Sequence, residues 1–161
     1  MSYVDTGYPA LDGKEHLKIH IETENIASDW GAREIVTYPK AMSERLNPPV
    51  IQIEFLSEEE PNMLGLGSPV QIEHIISYRI WYFSQLFSTK SRFDDIIEIL
   101  SKIRKFLLEN PSPDSYGHLF LSTGDTLKMR GFNIVVGAIE TGLELYSGGY
   151  IDIYLQKLLT Y

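Results

Sequence analysis

Residues 70–109 read VQIEHIISYRIWYFSQLFSTKSRFDDIIEILSKIRKFLLE, and the change of period inside this stretch decides the fold class. Val70, Ile72, His74, Ile76, Tyr78, Ile80 and Tyr82 fall on one side of a two-residue alternation. Gln71, Glu73, Ile75, Ser77, Arg79, Trp81 and Phe83 fall on the other. One set is almost all apolar and the other is mixed, the pattern of a long strand in a sheet covered well on one side. From Ser91 the period becomes helical. Phe93, Ile96, Ile97, Leu100, Ile103 and Leu107 form one apolar face, which predicts an amphipathic helix over 91–109. Ser91 and Asp94 have the spacing of a capping box. Asp94 and Asp95 complement the positive end of the helix dipole, while Lys102, Arg104 and Lys105 lie toward its negative end. Asn110-Pro111 stops it.

Outward from this pair, the signals vary in strength. Residues 34–38 and Val50–Leu56 read as strands, the second with Ile51, Ile53 and Phe55 alternating against Gln52 and Glu54. Ser57–Pro69, SEEEPNMLGLGSP, reads as a loop, and so does Asn110–Tyr116. His118–Ser122 and Thr126–Arg130 read as a hairpin about Gly124-Asp125. Phe132–Tyr146 reads as one long β segment, with Gly137 and Gly142 at bends or close backbone approaches. Lys14–Asn25 is open between strand and helix, as is Tyr150–Leu159. No linker, repeat or low-complexity segment divides the chain, so residues 1–161 read as a single domain. The class is α+β: a mixed, largely antiparallel sheet with one main helix packed on it, and a second helix at the N-terminus if 14–25 is helical.

Composition bounds the function. The chain has 161 residues, 43% of them hydrophobic and 22% charged, enough to bury a core. It has no cysteine, which excludes disulfides, thiolate metal sites and a cysteine nucleophile. Acidic residues outnumber basic ones 22 to 14, for a net charge of -8. That balance opposes general nucleic-acid binding and adhesion to an anionic membrane. The opening MSYVDTGYPALDG lacks the charged and apolar regions of a signal peptide. A soluble protein made in a cytoplasm is expected.

Chemistry-bearing motifs are sparse. His16 and His20 have metal-ligand spacing only on a helix, but Leu17 stands where the helical metalloprotease motif has glutamate. A surface pair is the simpler reading. His74, on the apolar side of its strand, reads as a buried, hydrogen-bonded histidine. Gly65-Leu66-Gly67-Ser68 lacks the Gly-Lys-Ser/Thr end of a phosphate loop, and Ser122-Thr123-Gly124-Asp125 is turn chemistry. The aromatic run Tyr78, Trp81, Tyr82 and Phe83 suits sheet packing, since Arg79 alone supplies nearby positive charge for base stacking. Asp94 and Asp95 are explained by the helix dipole. An enzyme would have to use His16, His20, Asp94 and Asp95, without a nucleophile–base spacing among them. No catalytic, cofactor or metal site is therefore expected. The candidate interface is the loop carrying Glu58, Glu59, Glu60, Met63, Leu64 and Leu66, where apolar residues follow a charge run; the alternatives are a solvated run of glutamates and a folded-back loop that buries Met63, Leu64 and Leu66 in the core.

The order of elements carries a resemblance. A short strand ends at Tyr38-Pro39. A proline-led strand follows, NPPVIQI. Then YRIWYFS feeds the helix SRFDDIIEILSKIRKFLLE, and a hairpin leads to VVGAIETGLEL. Over about Ile35–Leu145 this resembles the tail terminator, or tail completion, proteins of long-tailed bacteriophages, the fold group of lambda gpU. In size and character it is similar to terminators of T-five-type siphophages. The resemblance implies a virion protein without enzymatic activity or cofactor. It would form a homo-oligomeric, six-membered ring that caps the finished tail tube, stops its polymerisation and offers a docking surface to the head-completion or connector protein. Its partners would be copies of itself, the tube protein and the connector, at the neck of the virion, after synthesis in the host cytoplasm. DNA would pass through such a ring without specific binding, and an acidic ring would leave it free to slide. A tail-tube or other head–tail joining ring protein is the alternative, and a small hydrolase a remote one.

Overall fold

The computed structural model describes residues 4, 6–64, 71–84, 90–109, 135–141 and 143–160, some of them through the backbone alone. Elements run α1 (Pro9–Ala27), β1 (Glu34–Val36), α2 (Lys40–Ser43), β2 (Val50–Leu64), β3 (Gln71–Ser84), α3 (Lys90–Glu109), β4 (Val135–Glu140) and β5 (Leu145–Thr160). The described strands form one five-stranded sheet in the order β1-β2-β3-β5-β4. The β1–β2 pair is parallel and the others are antiparallel. The class is the α+β arrangement expected from the alternation-to-helix change at 70–109.

The first face of the sheet is where that alternation points. Ile76, Tyr78 and Ile80 of β3, Ile51 and Ile53 of β2, and Ile151 and Ile153 of β5 are fully buried there. Against them pack Ile96, Leu100, Ile103 and Leu107 of α3, and Leu17 and Ile21 of α1. Each such side chain contributes about 1.5–3 kcal/mol when withdrawn from water. Ile97, placed on the apolar face of the helix by its spacing, is instead 44% exposed. The stripe is narrower than the sequence suggests because α3 meets a sheet from one side only. The helix starts at Lys90, so Ser91 lies inside its first turn and is not the cap.

The open question over 14–25 resolves as helix. Proline opens α1 and Asp12 sits in its first turn. The Asp12 carboxylate accepts from the Thr6 amide (2.9 Å), the Thr6 hydroxyl (2.8 Å) and the Gly7 amide (3.0 Å). This lashes the incoming chain to the helix start, and Gly7 permits it by adopting φ +86. Among the described side chains of α1, residues 12, 13, 16, 17 and 21 are the buried ones, a three-to-four spacing.

Tyr150–Leu159 resolves the other way, as strand β5. The long segment expected over Phe132–Tyr146 is not continuous. β4 ends at Glu140 and β5 begins at Leu145. Between them the Thr141 amide donates to the Glu144 carbonyl (3.1 Å) and the Glu144 amide donates to the Thr141 hydroxyl (3.3 Å). This is a turn, so the chain folds back into an antiparallel pair. A close backbone approach does occur, but at Gly148 and not at Gly137, and Gly142 lies outside the described residues. A Cβ at Gly148 would collide with the Tyr82 carbonyl oxygen, whereas one at Gly137 meets nothing within 4 Å.

The second face is covered at one end. Val36, Ala41, Leu46, Val50, Phe83 and Tyr146 form a smaller core there. The side chain of buried Gln52 accepts from the Ala41 amide (3.1 Å), and the Leu46 amide donates to the Tyr146 hydroxyl (2.9 Å). The Pro48-Pro49 bond just before β2 is cis.

Candidate interface on the second sheet face

Beyond that small core, the second face carries a different chemistry, and strand register explains how it assembles. Arg79 on the central strand lies directly between Glu54 on β2 and Asp152 on β5. One step along, Trp81 lies between Gln52 and Tyr150. Three strands distant in sequence thus place an acid–base–acid row beside an aromatic row.

The geometry is tight. Arg79 binds Asp152 in a fork: Nε donates to Oδ1 at 2.7 Å and Nη2 to Oδ2 at 3.1 Å. Its guanidinium sits over the Tyr150 ring at 3.9 Å and near the Trp81 ring at 5.5 Å. Such stacking favours arginine over lysine. Trp81 donates from Nε1 to Glu54 at 2.7 Å, and its ring stacks on Phe83 at 5.7 Å and tilts against Tyr150 at 4.8 Å. The hydrogen bonds that Arg79 donates to the Asp152 carboxylate hold its guanidinium above its ordinary pKa, with the negative charges of Asp152 and Glu54 adding to this. The Arg79 and Asp152 side chains retain 28% and 21% of their exposure. Glu59 pairs with Ile75 across the strands and so shares this face. The face therefore sets three carboxylates against one guanidinium, with aromatic rings between. This is an interface chemistry: planar anchors for contact area and charge for orientation.

The candidate loop of the sequence reading is corrected. Residues 57–64 are strand, not loop, because β3 offers them a partner along its whole length. Glu58 and Glu59 are exposed and point to opposite faces, Glu58 opposite Ile76 and Glu59 opposite Ile75. Glu60 lies in the register shift between Glu59 and Asn62, and Met63 and Leu64 pair with Ile72 and Gln71. Leu66 lies outside the described residues, as do the hairpin expected at 118–130 and the loop at 110–116. The structure therefore does not gather these six residues into one loop, and of those whose side chains are described, Glu58 and Glu59, only Glu59 shares the face of the ionic row.

The histidines are not a surface pair. His16 is buried at 6% exposure, and His20 packs on the Phe106 ring at 4.6 Å. Asp94 and Asp95 are exposed near the start of α3. Phe106 lies twelve residues further on, about 18 Å along the axis, so the helix separates these carboxylates from His20. Among the described residues, no three His, Asp or Glu groups are placed to hold a metal ion. His74 is described through its backbone alone. No described helix is long and apolar enough to cross a membrane.

The Arg79–Asp152 fork escapes a reading of the sequence. Asp152 sits between Ile151 and Ile153, whose alternation was visible, but only the β3–β5 register brings it opposite Arg79. The sequence matches no protein-family model and no curated protein.

Proposed function

We propose that this chain is a structural virion protein of a long-tailed phage: a ring subunit that caps the finished tail tube, ends its polymerisation and docks the head connector. The observation that supports this reading is the run of elements from β1 to β4. A short strand ends before Tyr38-Pro39, a proline-led strand follows, and the strand bearing YRIWYFS feeds the main helix, after which the chain returns to the same sheet. That order carries the resemblance to tail terminators. The ionic–aromatic second face supplies a surface suited to subunit contact.

The test is mass by light scattering after size-exclusion chromatography at several concentrations, with negative-stain images and a binding assay on isolated tail tubes. Closed rings of uniform diameter, or rings formed on tube ends, are expected. Open-ended tubes of this chain alone would assign it to the tube class. A strict monomer that ignores tail tubes would overturn the proposal.

A further inference from the structure

We draw no further inference here: the strongest candidate, the ionic–aromatic patch of Glu54, Arg79, Asp152, Trp81 and Tyr150 on the second sheet face, belongs to the candidate interface already described, and nothing in the structure shows what covers it.

Discussion

Gly148 illustrates how a single residue sets the distance between two strands. Its missing side chain lets β5 approach the Tyr82 carbonyl on β3, where a Cβ would have to displace backbone. Backbone yields less readily than a flexible side chain, so Gly148→Ala should cost about 1–3 kcal/mol, seen as a lower urea midpoint. Gly137 on β4 has open space around its Cα. Gly137→Ala should be neutral or stabilise by up to about 1 kcal/mol, through the lower entropy of its unfolded chain. Similar losses for both would show that β-strand glycines here act through something other than contact. Lys40 makes a second residue-scale case. Its ammonium donates to both carboxylate oxygens of Glu34, at 2.7 and 2.8 Å, and that hydrogen bonding holds its pKa above the ordinary 10.5. The folded state thus binds this proton more tightly than the unfolded state. The stability from the pair is fully present below pH 10.5 and declines as pH rises through the folded value. Lys40→Met should remove that part of the alkaline decline in urea-midpoint titrations and leave the neutral-to-acid side unchanged in shape.

At the scale of elements, β3 organises the molecule. It is the strand that both β2 and β5 accompany over nearly its full length. Arg79, at its middle, ties β2 to β5 through charge. Removing the guanidinium takes the fork from partly buried Asp152 and the nearby positive charge from Glu54, which keeps its hydrogen bond from Trp81. Arg79→Ala should therefore cost about 1–3 kcal/mol, more than an exposed ion pair and less than a fully buried one. Arg79→Lys should recover only part of the loss, because an ammonium cannot make the fork or lie flat on Tyr150. Equal stability of the lysine variant and the native chain would refute a role for the fork. Much of β3 was legible from its alternation, and α3 from its apolar stripe. The length of β2 was not. Its outer half contains SEEEPN, which reads as turn and charge, and it becomes strand because β3 supplies hydrogen-bond partners that local propensity does not anticipate.

At the scale of the molecule, two cores lie back to back on one sheet. Trp30 belongs to the larger core under α1 and α3, and Trp81 packs against the smaller core around Phe83 and Tyr146. The chain has two tryptophans, so each can report alone once the other is replaced by phenylalanine. Because every strand lends side chains to both faces, the cores should melt together. Each single-tryptophan variant should give a fluorescence midpoint that coincides with its own far-UV circular dichroism midpoint. Separate midpoints would show that the smaller core unfolds independently and that the single-domain reading fails.

The amino-acid sequence by itself determined the α+β class, the central strand, the main helix and the short strand before Tyr38-Pro39. Each of these announces itself through a local period of apolar residues, a property of neighbours along the chain. Only the tertiary structure decided the rest. α1 hides its helical stripe because Asp12 and His16 occupy buried positions that an apolar count overlooks. β4 and β5 separate at a turn within an unbroken β-like run. The ionic row on the second face exists only once β2, β3 and β5 adopt their register, because Glu54, Arg79 and Asp152 belong to three strands and no local period joins them. Contacts between distant strands are set by pairing and packing, and a one-residue slip would send Arg79 to the opposite face from its partners.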